Sequence, residues 1–329
     1  MCIGLCNSSG VPFGGASFFV PPFLPMRFRL VIGTSSKICK AARTMKPALS
    51  VIALPAARMR PWWLWPNVLS LDAPVVALVW QAAFAHVLAV ELDWMQRGLL
   101  AVCVWLAYCG DRLLDARRLP TGPVDSARHT FARDHTRPLA TAWCVGLTLA
   151  VVMALQTSAR EMLAGAGLLA AVGVYFLLHH WQTTREGAGR WKEPMAGLGF
   201  AVGALFFVTL KLEITLPFVL AAVAWVGLCA MNCMVIAGRD RECDAMMAQP
   251  SMARRWAAME RALPWMALGW VALVLGAAAL DARWLPLALA LAASALALLE
   301  LARRPELFSA EARRVWADVV LLTPLFVFL

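Results

Sequence analysis

Two short acidic clusters hold most of the chemistry that the chain's residue types and spacing suggest. One reads Ala107-Tyr-Cys-Gly-Asp111-Arg-Leu-Leu-Asp115, the other Asn232-Cys-Met-Val-Ile-Ala-Gly-Arg-Asp240-Arg-Glu242-Cys-Asp244. In each, two aspartates stand four positions apart, which on a helix puts both carboxylates on one face. Like charges so placed repel unless a cation lies between them. Each pair also closes a long apolar run, at a helix C-terminus where the macrodipole disfavours anions. One such pair reads most simply as a solvated helix end, but the same spacing at two such places favours a cation site. Mg²⁺ suits it, because it bridges carboxylates to phosphate while keeping part of its water shell. Basic residues surround both clusters: Arg112, Arg117, Arg118, Arg128, Arg133 and Arg137 around the first, Arg239, Arg241, Arg254 and Arg255 around the second, with Arg190 and Lys192 between. Guanidinium groups grip phosphate through paired donors, so Mg²⁺ and arginine together describe a diphosphate clamp. Arg137, Lys192 and Arg128 are its candidate members; loop topology accounts for most of the others.

The elements that must position these groups are membrane helices. The chain has 329 residues, 61% of them hydrophobic and 15% charged, with mean hydropathy +0.68, whereas a water-soluble domain carries about 25% charged residues. A helix needs about 20 mostly apolar residues to span a bilayer. Such runs fall at 73–91, 97–116, 139–158, 161–180, 195–212, 214–236, 263–280, 284–302 and 314–329, which predicts an all-α polytopic membrane protein of about nine transmembrane helices. The short connections hold one cation each, Arg97, Arg160, Lys211 and Arg283, whereas the long ones are rich in arginine. The positive-inside rule then puts the long loops in the cytoplasm. Four helices separate the two acidic clusters, so both emerge on that face, in what reads as a bacterial cell membrane. Trp62, Trp63, Trp65, Trp181, Trp191 and Trp316 fall at inner boundaries and Trp94 and Trp284 at outer ones, as an aromatic belt would place them. The net charge of +10 is thus explained by topology, and nucleic acid is not an expected partner.

Residues 1–67 mix Gly, Ser and Pro with apolar runs too short to span, and are assigned no fold. A start codon placed too early would produce such a segment, since Met45 and Met59 lie in frame before the first good helix; a basic arm is the other reading. It lacks the layout of a signal peptide. The nine cysteines are scattered without the spacing of a zinc site or a disulfide framework.

Nine helices with DxxxD motifs after the second and sixth resemble the UbiA superfamily of intramembrane prenyltransferases. Leu71-Asp72-Ala73-Pro74 is similar to the LDxP common at its first helix, Thr136-Arg137-Pro138-Leu139 resembles its TRPL, and Asp240-x-Glu242-x-Asp244 has the form of its second motif. The likeness covers residues 68–329. Individually these motifs are short; jointly they are fairly specific. One departure stands out: the family's first motif usually carries Asn and Asp where this chain has Ala107 and Tyr108. The resemblance implies a UbiA-like bundle in which Mg²⁺, held by Asp111, Asp115, Asp240 and Asp244, binds an isoprenyl diphosphate, with Arg137, Lys192 and Arg128 on the diphosphate. A lipophilic acceptor, an aromatic ring or a lipid hydroxyl, would be met within the bilayer, with Asn232 and Tyr108 as candidate contacts. The family's Tyr and Lys between helices four and five are loosely matched by Tyr175 and Lys192.

His129 and His135 could accept protons once substrate is bound, although a lone loop histidine is more often inert. Gln81 and His86 lie within the first helix, where an interhelical hydrogen bond is as good a reading as a functional one. A transporter or other non-enzymatic membrane protein is the competing class, and would favour acidic residues along the middle of the helices. A CDP-alcohol phosphotransferase also uses aspartates and Mg²⁺, but resembles a single compact motif rather than two distant ones.

Overall fold

The computed structural model describes residues 61–117, 119, 126–181, 191–246, 252 and 258–327, and at 175, 176, 178–181, 239–246, 305 and 327 only the backbone. Every element among the described residues is helical. The α-helices are α1 (Trp65–Val68), α2 (Asp72–Val87), α3 (Trp94–Ala116), α4 (Ala127–Asp134), α5 (Thr136–Ala154), α6 (Ala159–Trp181) and α7 (Lys192–Thr209). They continue with α8 (Leu216–Met246), α9 (Met259–Leu280), α10 (Leu285–Arg303) and α11 (Ala310–Val319), and a 3-10 helix prolongs the chain over Val320–Val327. The all-α expectation therefore stands, and each expected apolar segment falls on a helix.

By length and composition, four described helical stretches suffice to cross a membrane: Thr136–Ala154, Leu216–Gly238, Met259–Leu280 and Ala282–Arg303. A fifth is added if Trp62–Val68 and Asp72–Val87, bent by 79° at the break between them, are taken as one. The bend has a local cause. Leu71 N–H donates to the Pro66 carbonyl at 2.8 Å and Ser70 N–H to Asn67 at 3.2 Å, closing α1 with Ser70 at a positive φ of 56°. Helix over Trp62–Val68 was not expected, and Pro66 in its first turn starts it without a missing donor.

Side-chain distribution fits lipid surroundings. Val145, Leu147, Leu149, Val151 and Val152 of α5 are exposed, as are Trp265, Leu268 and Leu275 of α9. Contiguous apolar surface of this kind marks a membrane or a partner. Inside, Trp80 of α2 stacks on Trp225 of α8 with centroids 4.2 Å apart and donates from its indole to the Leu321 carbonyl at 2.7 Å. Trp284 packs edge-on to Phe84 at 5.9 Å and is 2% exposed, so it belongs to the core and not to the belt expected of it. Trp62, Trp94 and Trp191 are exposed. Helices α7 and α8 meet at Gly197, where an added Cβ would run into the backbone of Ala230, a small-residue contact of the kind that lets membrane helices approach closely.

Helix directions follow from the two ends of the bundle. At one end a cavity of about 830 Å³ is lined where α2, α7 and α9 finish and α8 and α10 begin. Lys211 Nζ there donates to the Glu91 carbonyl and to Gln96 at the start of α3, both at 2.9 Å. The opposite end therefore holds the start of α2 and the finish of α3 and α8.

Candidate functional site

The acid-bearing turns of α3 and α8 lie at that second end. Tyr108, one turn before Asp111, and Asn232, about two turns before Asp240, line one void together with Cys229, Cys233 and Asp318. Both helices run from the void toward the same end, so their DxxxD turns leave the bundle on one side.

In the first cluster, Asp111 is exposed while Asp115 is buried. Short helix α4 folds back against the end of α3 and presents His129, whose Nε2 lies 3.5 Å from Asp115 Oδ2. Its Nδ1 is 2.9 Å from the hydroxyl of Ser126, the residue before α4. Three groups only 2–7% exposed thus interlock, which orients Asp115 from within the protein and leaves Asp111 as the carboxylate that faces outward. His135 stacks on Phe131 at 4.3 Å and holds that residue's carbonyl through Nδ1 at 3.1 Å, a role at the end of α4.

Arg112 and Arg128 are both buried, and their charges act on one another, with Asp111, Asp72 and Asp115 as the nearby anions that offset Arg112. Arg128 is also within electrostatic reach of Asp318. Lys192 opens α7 and is half-buried, close enough to Cys233 for its charge to be felt there. Its neighbour Glu193 is buried and accepts the Met252 backbone N–H on both oxygens at 3.1 Å. Arg137 stands exposed in the first turn of α5. Asp240 and Asp244 lie on the last turns of α8; their side chains, and that of Tyr175, fall outside the described residues.

Asn232 donates from Nδ2 to Asp318 Oδ1 at 3.2 Å, and Tyr108 packs edge-on to Phe200 at 6.1 Å. The void they share has a volume of about 10 Å³, so in this arrangement it does not accommodate a prenyl acceptor. Among the described residues no three His, Cys, Asp or Glu side chains converge as a metal centre would require. The described half of the expected Mg²⁺ site thus offers one outward carboxylate and one held by histidine.

Sequence reasoning did not single out Asp318, Asn67 or Arg314, all of which lie at this end. Asp318 lies within hydrogen-bonding reach of the Asp72 carboxyl. Asp72 in turn accepts from Asn67 Nδ2 at 2.6 Å and from the Ala73 N–H at 3.0 Å. Arg314, 2% exposed, pairs with Glu311 at 3.2 Å, and Glu311 accepts the Ala127 N–H at 2.7 Å, which ties α11 to α4. An aspartate inside the apolar stretch from Trp316 onward was the available signal for Asp318.

Comparison of the chain with protein-family models, with curated proteins and with solved structures gave no match.

Proposed function

We propose that the chain is an intramembrane prenyltransferase of the UbiA kind, with the nine helices of that bundle and both acidic motifs on the cytoplasmic side of a bacterial cell membrane. It moves an isoprenyl group from a polyprenyl diphosphate to an aromatic or lipid acceptor. The observation that supports the reading is that α3 and α8 flank one void and then carry their DxxxD turns out of the bundle on the same side. Two carboxylate pairs that share an end, amid arginine, suit a bridged diphosphate.

In this reading Asp111, Asp115, Asp240 and Asp244 would hold Mg²⁺, whose chemistry when bound would be to supply positive charge against the diphosphate. Arg137, Lys192 and Arg128 add positive charge toward its outer oxygens. The bond between C1 and the diphosphate oxygen breaks with the electron pair leaving on oxygen, a bond from C1 to the acceptor forms, and the acceptor's proton goes to the departing diphosphate. The apolar helix walls keep water from the allylic centre, which it would otherwise quench. His129 keeps Asp115 oriented.

The test is transfer of a labelled isoprenyl group by membranes bearing the protein, with product identified by mass spectrometry. Asp111→Asn and Asp240→Asn should each abolish it, and transfer that survives both substitutions refutes the assignment. Transport is the second reading, favoured by an aspartate, Asp318, inside the apolar stretch from Trp316 onward.

A further inference from the structure

Helix α6 is fastened to the bundle mainly at one end. None of its described side chains is buried, and Leu163, Leu169, Val174 and Leu177 stand exposed, whereas its neighbour α7 buries a full face from Gly197 to Val208. Lipid solvates apolar side chains as well as protein does, so membrane helices are held by close packing and by polar contacts between them. For α6 the polar contact lies in its first turn.

Glu161 Oε1 accepts from Nε2 of Gln96, in the first turn of α3, at 2.5 Å. Its Oε2 accepts from the N–H and the hydroxyl of Ser158 at 3.0 and 2.7 Å, which fixes the carboxylate across the start of α6. Gln96 is itself locked. It is 4% exposed, its N–H donates to Asp93 at 2.7 Å, and its Oε1 accepts from the Asp93 N–H at 3.1 Å and from Lys211 Nζ at 2.9 Å. One amide therefore clasps α6 to α3 and to the end of α7, on the side of the bundle away from the acidic motifs.

Beyond the clasp α6 and α7 run antiparallel, because α6 begins where α7 finishes. They meet where a Cβ added to Gly165 would lie 3.7 Å from Phe206 Cζ. One and two turns further along that face of α7, toward the acidic motifs, a Cβ added to Gly203 or Gly199 would meet nothing within 4 Å. The antiparallel register sets Leu168 opposite Gly203 and Val172 opposite Gly199. The seam is thus shut beside the clasp and open toward the acidic end, where α7 presents two glycines four positions apart, a surface that lets another helix approach closely.

We propose that α6 is a strap hinged on the Gln96–Glu161 clasp, which swings onto the glycine face of α7 and closes that seam. Phe200, next to Gly199, packs on Tyr108 at 6.1 Å, so the strap governs how far lipid reaches toward the segment of α3 that leads to Asp111. This motion is independent of prenyl transfer.

Double electron–electron resonance on the full chain in lipid nanodiscs tests it, with spin labels on genetically encoded ketone residues that leave the native cysteines in place. Labels at Leu163 and Leu275 report the clasped end, and labels at Val174 and Leu268 the free end; all four positions are exposed. The first pair should give one narrow distance and the second a broad or two-component distribution. Gly203→Val, which fills the face that the strap closes on, should narrow the second pair, and Gln96→Leu should broaden the first. Equally narrow distances at both ends, a second pair unchanged in Gly203→Val, or a first pair still narrow in Gln96→Leu would each overturn the proposal. The comparison of the two ends needs neither substitution, so it decides even where Gln96→Leu fails to fold.

Discussion

The side chain of Asn232 donates to Asp318 at 3.2 Å, joining the turn of α8 that leads to the second acidic motif with a carboxylate near the C-terminal end of the chain. Since Asp318 also reaches Asp72, three helices distant in sequence are held together by polar contacts at one end of an otherwise apolar bundle. Such contacts between membrane helices are worth about 0.6 to 2 kcal/mol each. Their value is more in geometry than in energy: they fix the registers of α2 and α11 against α8. Any chemistry at the emerging ends of α3 and α8 inherits its positioning from this junction.

Arg137 and Arg128 separate binding from folding. Arg137 is exposed, so Arg137→Ala should change stability by less than about 0.5 kcal/mol. On the prenyltransferase reading it should still weaken diphosphate use by about tenfold to a hundredfold, the worth of one charged hydrogen bond. Arg128 is buried among charges, and Arg128→Ala should destabilise by about 3 kcal/mol or more. Thermal unfolding beside KM for the diphosphate measures both, and a stability loss in Arg137→Ala as large as in Arg128→Ala would refute the distinction.

Packing at Gly197 is tested by size. A Cβ there meets backbone atoms of Ala230, which have no rotamer to yield, so Gly197→Val should cost about 1–3 kcal/mol by forcing α7 away from α8. The same change at Gly199, where an added Cβ meets nothing within 4 Å, should be tolerated in packing. Denaturant unfolding of the two variants in one detergent compares them, and equal losses would show that helix propensity and not the close approach controls the result.

The helices were legible because uninterrupted apolar runs need no partner to identify them. The site was legible only where a local pattern carried it: DxxxD spacing marked Asp111 and Asp115, but not that α4 would fold back to set His129 against Asp115. Asp72 was noticed as part of a motif, yet its partner Asp318 lies at the other end of the sequence, and no local spacing announces such a pair. Trp284 was misread for a related reason. Position near a helix start suggests an interfacial anchor, whereas its burial depends on Phe84 and Phe218 arriving from other helices. The helix at Trp62–Val68 escaped notice because it is too short to span and turns away from α2.

Ala89 offers a stabilising change. It closes α2 with φ of 52°, while the next N–H, of Val90, donates back to the Ala85 carbonyl at 2.8 Å. This is the left-handed helix stop in which glycine has no Cβ penalty. Ala89→Gly should therefore raise stability by about 1 kcal/mol, the relief of the left-handed conformation less some gain in unfolded-chain freedom. A fall in the unfolding midpoint would mean that the Ala89 methyl contributes packing that outweighs the strain.

Asp281 and Arg283, at the rim of the large cavity, give a pH prediction. The guanidinium hydrogen bonds from Arg283, at 2.8 to 3.2 Å, hold the Asp281 carboxyl below the ordinary aspartate range, helped by the Arg283 backbone N–H at 3.0 Å. A carboxyl depressed in the folded state contributes stability that is complete above its unfolded value and is lost as pH falls through its folded one. Both side chains meet solvent, so screening keeps that contribution small. The titration itself is the better readout. In Arg283→Ala the Asp281 midpoint, followed by NMR of the labelled carboxyl, should move up toward the ordinary value, and in wild type, high salt should move it the same way. The backbone donor survives that substitution and leaves part of the depression in place. If the midpoint does not move in Arg283→Ala, the ion pair seen between these two residues does not govern the titration, and the 3-10 turn over Ala282–Trp284 holds the carboxyl through its N–H alone.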